Sequence, residues 1–246
     1  MSPSPRWCAA TVAAAHVFVD ADRLADECIT VDGADGHHLV RVRRLGPGEV
    51  VTVADGIGRW RVGAVDAVDG DVLVVRASGP IETEPVGRPR LAVAFAPTKG
   101  DQPERVVAAL TELGVEEILP VITRRSVVRW SGERAAKQGD RLRRVAREAA
   151  AQCRRATLPS VADPAPVASL AGRRGVVIAD RDGGPFGATT PPEGTWTVVV
   201  GPEGGLDPED VRGFGACERM GVGPHILRAD TAPIAIAAVL ATRRVT

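Results

Sequence analysis

A segment rich in proline and glycine, residues 79–90, divides the chain into two parts whose apolar residues repeat with different periods. Before it, short apolar runs alternate with turn signals such as Asp55-Gly56 and Asp69-Gly70, which is typical of β-strands. After it, short apolar runs alternate with helical patterns, which is typical of an α/β domain. The sequence therefore predicts two domains, residues 1–85 and 86–246.

The first part predicts a small β domain over residues 14–85. Its expected strands are His16–Val19, Val50–Ala54, Trp60–Val65 and Val72–Arg76. Residues 1–13 are expected to be disordered.

The second part predicts a mainly parallel sheet with helices between its strands. Its expected strands are Leu91–Ala96, Val115–Ile122, Val176–Ala179 and Thr197–Val200. Asp101 is the expected N-cap of the first helix, Pro103 lies in its first turn, and Gly114 ends it.

Formal charges cancel over the whole chain, with 31 Lys and Arg against 31 Asp and Glu. This balance excludes a polybasic protein that binds nucleic acid by bulk charge. The two parts differ, however. Residues 1–85 hold 8 basic and 13 acidic side chains, whereas residues 86–246 hold 23 and 18.

The basic excess is concentrated in residues 134–155, where apolar side chains recur at helical spacing. The predicted buried stripe comprises Leu142, Val145, Ala146, Ala149, Ala150 and Cys153. The basic side chains point away from that stripe: Arg134, Lys137, Arg141, Arg143, Arg144, Arg147, Arg154 and Arg155. Two interpretations stay open, a solvated helix surface and an RNA-binding face that includes Arg143 and Arg147.

The most specific local motif is Gly201-Pro202-Glu203-Gly204-Gly205, which follows a buried strand and precedes a helix with Asp207 as its expected cap. Loops at the carboxyl ends of parallel strands bind ligands, and glycine lets the backbone approach a ligand closely. The motif is neither a dinucleotide fingerprint nor a phosphate loop. It predicts a ligand loop, with a plain tight turn as the alternative. A second glycine loop, Met220–Ala232, favours a composite pocket.

The four cysteines, Cys8, Cys28, Cys153 and Cys217, are too scattered for a zinc site and too few for a disulfide framework. We therefore expect no metal, and a reducing cytoplasm as the setting. No apolar stretch is long enough to cross a membrane. Aromatic residues make up only 3% of the chain, which argues against a base-stacking platform for single-stranded nucleic acid.

Four motifs in order give the chain a family resemblance. They are residues 37–48, residues 111–115, residues 148–155, and the pair Gly201–Gly205 with Ile226–Ala232. Together they resemble the RsmE family of ribosomal RNA uridine N3-methyltransferases, which belongs to the SPOUT class of knotted methyltransferases.

The resemblance implies a fold and a function. It implies a PUA-like β-barrel followed by an α/β SPOUT domain with a parallel sheet and a C-terminal trefoil knot. It further implies S-adenosylmethionine as methyl donor, a homodimer, and N3 of a uridine in 16S ribosomal RNA, within the small ribosomal subunit, as the target.

Matching the family's motifs assigns site residues. The expected cofactor-binding residues are Ala179, Gly201, Pro202, Glu203, Gly204, Gly205, Met220, Gly221, Ile226, Leu227 and Thr231. The same matching makes Arg41, Arg43, Arg44 and Arg155 expected RNA contacts. Arg125, and Arg143 and Arg147 of the basic helix, are further expected RNA contacts outside the matched motifs. The chain departs from the family's usual residues at His16, Ala109, His225 and Asp230.

Arg228 and Glu203 are the expected catalytic residues. A cation beside the uracil carbonyls favours loss of the N3 proton, which is the role predicted for Arg228. Its alternative is a structural ion pair with Asp230 or with a chain terminus. Glu203 is predicted to orient the base or accept a proton, and its alternative is to cap the nearby helix. Two other functions stay open: modification of a different ribosomal or transfer RNA base, and a non-catalytic RNA-binding assembly factor.

Overall fold

The computed structural model describes residues 13–184 and 194–244. These residues form two compact units. The first comprises the described residues up to Pro85 together with Ala150–Leu158, and the second comprises Val86–Ala149 with the described residues from Pro159 onward. Residues 1–12 of the segment expected to be disordered lie outside the described residues, whereas Ala13 is buried, with 3% of its surface exposed.

The first unit is a mixed six-stranded sheet. Its strands are β1 (Ala15–Phe18), β2 (Cys28–Val31), β3 (Val50–Ala54), β4 (Arg59–Asp69), β5 (Val72–Ala77) and β6 (Glu82–Thr83). The order is β1-β3-β4-β5-β2, and β6 pairs with β4. Strand β1 runs parallel to β3, and the other neighbours are antiparallel. The expected barrel is open in the described residues, because the edge strands β1 and β2 are not paired with each other.

A short helix, α1 (Gly33–His37), and a π-helical turn, His38–Val42, connect β2 to β3. The core of this unit is aliphatic, with Leu24, Ile29, Val51 and Leu73 fully buried.

The second unit is an α/β domain whose sheet pairs only parallel strands within the described residues. Its strands are β7 (Arg90–Phe95), β8 (Glu117–Ile122), β9 (Ser160–Val161), β10 (Ala165–Pro166), β11 (Val176–Gly184), β12 (Thr195–Val200) and β13 (Glu218–Met220). The order is β10-β8-β7-β12-β11-β13, and β9 pairs with β8. The predicted α/β fold with a parallel sheet is confirmed.

Four helices accompany this sheet: α2 (Gln102–Glu112), α3 (Gly132–Cys153), α4 (Pro208–Val211) and α5 (Thr231–Ala241). Asp101 occupies the N-cap position of α2 without a side-chain capping hydrogen bond, and Pro103 lies in the first turn. Gly114 follows the helix with a φ of +77°, a conformation that favours glycine.

Both faces of the sheet are covered. Successive residues of a strand point to opposite faces, so neighbouring residues of β7 belong to different clusters. Leu91, Val93 and Phe95 pack in one cluster with apolar residues of α2, α3 and α5. Ala92 and Ala94 pack in the other, with Val167 and Phe214 among their neighbours. Burial on both faces explains why these strands are continuous apolar runs rather than alternating ones.

The paired backbones of β11 and β13 come into direct contact at two glycines, beside an irregularity in their register. A Cβ at Gly183 would lie 2.7 Å from both the Arg219 carbonyl carbon and the Met220 nitrogen. A Cβ at Gly221 would lie 2.5 Å from the Gly183 carbonyl oxygen. The Gly221 nitrogen donates to the Gly184 oxygen at 3.1 Å. No other residue type fits at Gly183 or Gly221 unless the backbone moves.

Candidate active site

A cleft of about 730 Å³ lies in the second unit at the carboxyl ends of three adjacent strands, β12, β11 and β13. Open parallel sheets bind their ligands at this edge. The cleft is lined by residues 178–182, 200–206, 219–223 and 225–227, together with Arg125, Pro208, Val211, Ala229, Ala232 and Ile236.

Most of the cofactor residues expected from the sequence line this cleft. They are Ala179, Gly201, Pro202, Glu203, Gly204, Gly205, Met220, Gly221, Ile226 and Leu227. Thr231 was expected at the site but does not line the cleft. It is the first residue of α5, and its side chain is exposed outside the cleft lining. The placement agrees with the expected site, and the contacts of these residues with a ligand stay a prediction.

Residues Gly201–Gly205, the glycine loop, form one wall of the cleft. A Cβ at Gly201 would lie 3.0 Å from the Leu206 side chain, so any other residue here would force the neighbouring atoms to shift by a few tenths of an ångström. Within the loop the Gly205 nitrogen donates to the Pro202 oxygen at 2.8 Å. The loop is thus a tight turn that also lines the cleft, so the two interpretations of the motif, a tight turn and a ligand loop, are compatible.

Helix α4 follows the glycine loop and is capped as predicted. The Asp207 side chain accepts a hydrogen bond from the Glu209 nitrogen, and the Asp210 side chain accepts one from the Asp207 nitrogen, which together make a capping box. Because Asp207 takes the capping position, the structure does not support helix capping as the role of Glu203.

Asp180 and Arg219 form an ion pair, and both residues line the cleft. The backbone N–H of Asp182, which donates to Asp180 at 3.1 Å, and the Arg219 guanidinium hold the pKa of the Asp180 carboxyl below its usual value. Sequence reasoning missed both residues. The available signal was their position, since Asp180 comes directly after an apolar strand.

Glu203 and Arg228 are exposed, and neither side chain has a hydrogen-bond or ion-pair partner among the residues that the structure describes. Glu203 lines the cleft. Arg228 lies between Leu227 and Ala229, which also line it. The alternative ion pair between Arg228 and Asp230 is not formed, whereas both chain termini, the other alternative partners, lie outside the described residues.

Arg125, an expected RNA contact, lies at the cleft and binds the glycine loop instead. Its Nη1 donates to the Gly204 oxygen at 2.9 Å, and its Nη2 donates to the Asp207 carboxylate at 3.1 Å. The Glu209 backbone N–H and this guanidinium hold the pKa of Asp207 below its usual value. The structure therefore favours a bracing role for Arg125.

The expected RNA contacts of the first unit differ in availability. Arg41 is paired with Asp71, and Arg43 donates to the Ala14 oxygen. Arg44 is exposed with a φ of +57°, and its side chain has no partner in the described part of the chain. Arg155 is buried, with 9% of its surface exposed, which favours a packing role.

The basic side chains of helix α3 are mostly paired. Arg143 donates to Asp140 at 2.8 Å, to Asp163 at 2.9 Å and to the Val161 oxygen at 3.1 Å. Further pairs are Lys137 with Glu133, Arg141 with Glu104 and Arg144 with Glu148. Arg147 also has a partner within the protein. The structure therefore favours the solvated-surface interpretation of this helix over an RNA-binding face.

The predicted apolar stripe of α3 is buried at four of its six positions. Leu142, Ala146, Ala149 and Ala150 are buried, and Val145 is half-buried. Cys153 is exposed, so its place in the stripe was predicted wrongly. It is the last residue of the helix, where the chain turns at Arg154 with a φ of +62°.

In residues 13–184 and 194–244, no three His, Cys, Asp or Glu side chains are grouped so that they could hold a metal ion. Among the same residues, no helix combines the length and the apolar character that crossing a bilayer requires.

Comparison with known proteins extends to both units. Residues 86–241 match the model of an RNA methyltransferase domain, and residues 31–76 match that of an RNA methyltransferase PUA domain. The ribosomal RNA small subunit methyltransferase E of Mycobacterium bovis is 32% identical over 222 residues, which cover 85% of this chain and 84% of the relative. The Bacillus subtilis protein of the same name is 28% identical over 223 residues, 83% of this chain and 86% of that one.

Solved structures agree with this relationship. A ribosomal RNA small subunit methyltransferase E from Neisseria gonorrhoeae, bound to S-adenosylmethionine, superposes with a TM-score of 0.82 at 25% identity and covers 93% of this chain and 97% of that chain. A structure described as a methyltransferase from Legionella pneumophila has the same fold, with a TM-score of 0.83 at 22% identity. The match covers 94% of this chain and 98% of that chain. The chain belongs to the ribosomal RNA small subunit methyltransferase E family, with a PUA domain followed by an RNA methyltransferase domain of the SPOUT fold.

Proposed function

We propose that this chain transfers a methyl group from S-adenosylmethionine to N3 of a uridine in the 16S RNA of the small ribosomal subunit. The observation that carries the proposal is the cleft at the carboxyl ends of β11–β13, built from the glycine loop and residues 219–227. It lies in the domain that matches the RNA methyltransferase model, in a chain 32% identical to a small-subunit RNA methyltransferase. The choice of uridine N3 rests on the RsmE resemblance.

The cleft residues fit S-adenosylmethionine. A volume of about 730 Å³ is within the range of small-molecule sites. Ile178, Leu206, Met220 and Ile226 supply apolar surface for an adenine ring. The glycine loop presents backbone groups without Cβ atoms in the way, and the unpaired Glu203 carboxylate complements a positively charged ligand.

When bound, S-adenosylmethionine supplies an electrophilic methyl group, which passes to N3 as the carbon–sulfur bond breaks and a neutral thioether leaves. The protein has two tasks, to position the base and to assist removal of its N3 proton. The Arg228 guanidinium stabilises negative charge on the uracil carbonyl oxygens, which lowers the pKa of the N3–H. Glu203 orients the base or accepts that proton.

The further expectations belong to the same proposal. The chain acts in the cytoplasm as a homodimer and recognises its target within an assembled small subunit. Support for subunit recognition comes from the excess of acidic over basic residues in the first 85 positions, because such a domain has little general attraction for free RNA.

A trefoil knot in the second unit is also proposed. It is supported by the close backbone contact at Gly183 and Gly221, since a chain drawn through a narrow loop must pass another backbone at close range. Knots are otherwise almost absent from proteins.

The proposal is tested by incubating the purified protein with labelled S-adenosylmethionine and small ribosomal subunits from cells that lack this enzyme. The RNA is then digested, and the methylated nucleoside is identified by mass spectrometry. We expect N3-methyluridine. A different methylated nucleoside would instead indicate an enzyme of the same fold with another target. Calorimetry that detects no cofactor binding would indicate an assembly factor.

A further inference from the structure

The segment between β8 and α3 carries three arginines beside the cleft. We call residues Arg124–Arg129 the arginine loop; their sequence is Arg-Arg-Ser-Val-Val-Arg. Arg124, Arg125, Val127 and Arg129 are exposed, whereas the flanking Thr123 and Trp130 are buried. The loop thus presents three cations and one aliphatic side chain to solvent.

The arginine loop is fixed to the glycine loop by two links. Arg125 binds the Gly204 carbonyl and the Asp207 carboxylate, as described above. The Arg124 backbone nitrogen donates to both oxygens of the buried Asp210 carboxylate, at 3.2 and 3.3 Å. Since Asp210 also belongs to the capping box of α4, the arginine loop is anchored at the cleft, which Arg125 itself lines.

The loop is also held from within. The Ser126 hydroxyl accepts from the Thr123 nitrogen at 2.9 Å and shares a hydrogen bond with the Thr123 hydroxyl at 3.0 Å. Arg129 Nη2 donates to the Arg124 oxygen at 3.3 Å. Because these bonds order the loop before any ligand arrives, little conformational entropy is lost when it binds one.

Arg124 and Arg129 keep their charge available. Arg129 has no carboxylate partner among the described residues, and the Arg124 guanidinium forms only a long ion pair, with Glu209 at 4.0 Å. Glu209 is also paired with Arg212. In contrast, most of the basic side chains of α3 have carboxylate partners.

We infer that the arginine loop grips the RNA strand on either side of the target uridine, with Arg124 and Arg129 on phosphates and Val127 against the bases that the uridine leaves. The inference rests on the proposed function and assigns the arginine loop as a surface that binds the RNA substrate. Guanidinium groups bind phosphate oxygens through two parallel hydrogen bonds. A base that reacts at N3 must leave its pairing partner, and aliphatic side chains commonly fill the space that opens. Val127, 67% exposed between arginines, is suited to that position.

The test compares two double variants that remove the same charge. Arg124→Gln with Arg129→Gln alters the loop, and Arg134→Gln with Arg144→Gln alters exposed positions of α3. Binding to small subunits from cells that lack the enzyme is measured at several salt concentrations, and cofactor binding is measured by calorimetry. We expect the loop variant to bind subunits about tenfold more weakly and to lose roughly 1.4–1.8 units of the log–log salt slope. The helix variant should change the affinity less than threefold.

A third variant, Val127→Ser, separates the aliphatic contact from the charges. It should leave subunit affinity within about twofold of wild type and lower the methylation rate severalfold, because it affects the displaced base more than the phosphates. Equal affinity of the loop and helix variants, with cofactor binding retained in both, would overturn the inference. If the wild-type protein methylates no RNA at all, the proposed function fails instead, and the two failures are distinguishable.

Discussion

Helix α3 and the loops around the cleft both contain several arginines, but the protein uses them differently. On α3, Arg141 and Arg143 are bound to carboxylates, and Arg143 ties the helix to Val161 and Asp163. Around the cleft, Arg125 braces a loop, whereas Arg124, Arg129 and Arg228 are not firmly bound to carboxylates among the described residues.

This difference shows that the number of arginines does not measure a surface's capacity to bind RNA. An arginine already bound to two carboxylates must break those bonds before it can bind a phosphate. An exposed arginine on an ordered loop has no such cost. The availability of the guanidinium, rather than the local charge count, decides which surface can hold a polyanion.

The largest expected effect concerns the backbone that builds the cleft. Gly183→Ala places a Cβ within 2.7–2.8 Å of backbone atoms of Arg219 and Met220, which cannot move independently. We expect it to lower the free energy of unfolding by about 4 kcal/mol and to abolish measurable cofactor binding. Gly184→Ala is the matched control, since its Cβ meets nothing within 4 Å. Similar melting temperatures and cofactor affinities of the two variants would show that the cleft does not depend on the close contact between β11 and β13.

The next effect tests whether the C-terminal end of α3 is interior rather than RNA-facing. Burial lowers the pKa of His16 from 6.5 to about 4, and Arg154 contributes to the lowering. As the pH falls, His16 takes up a proton in the unfolded chain before it does so in the folded protein. The free energy of unfolding is therefore unaffected by protonation of His16 above pH 6.5 and decreases as the pH falls from 6.5 to 4. The loss amounts to about 3 kcal/mol.

Denaturant unfolding of wild type and His16→Asn at several pH values measures this contribution. Asparagine retains a polar atom near Nδ1, which lies 2.7 Å from the Thr52 hydroxyl. The variant should lose less stability than wild type between pH 6.5 and 4. Parallel curves would contradict the burial of a neutral imidazole.

A kinetic prediction tests the free arginine beside the cleft. Arg228→Ala should lower kcat for methylation about 100-fold, equivalent to about 2.7 kcal/mol, with cofactor affinity unchanged. Without a cation to favour the uracil anion, the deficit should narrow as the pH rises towards the imide pKa. Arg212→Ala, which removes an exposed arginine paired with Glu209, is the control. A deficit that is independent of pH would assign Arg228 a purely structural role.

The smallest effect sharpens the description of α3. Arg143→Ala removes hydrogen bonds to three acceptors and should lower the free energy of unfolding by about 1 kcal/mol, because the site is partly solvated. Lys137→Ala, which breaks one exposed ion pair, should cost less than about 0.5 kcal/mol. Subunit affinity should be unchanged in both. A marked loss of affinity in Arg143→Ala alone would return α3 to the RNA-binding interpretation.

Most of the fold could be predicted from the sequence because its signals are local. The apolar runs at Leu91–Ala96 and Thr197–Val200 form the two central strands β7 and β12, and Asp207 caps α4 as its position indicates. The glycine loop likewise faces the cleft. Strand β2 was missed because Cys28–Val31 is short and shows only two buried positions.

The site's side-chain partners could not be predicted, because they come from distant positions. Arg125 and Gly204 are 79 positions apart, and Asp180 and Arg219 are 39 apart. Glu104 and Asp163, which pair with basic side chains of α3, likewise come from outside the helix. Such pairings depend on the packing of elements, which spacing within one segment does not reveal.

Amide hydrogen exchange with and without S-adenosylhomocysteine tests most directly that the cleft binds the methyl donor through its backbone. S-adenosylhomocysteine, the product that remains after methyl transfer, should protect residues 179–184, 200–205 and 219–227, while helix α3 exchanges as before. Protection confined to other parts of the chain, or no protection at saturating S-adenosylhomocysteine, would contradict binding of the methyl donor in this cleft.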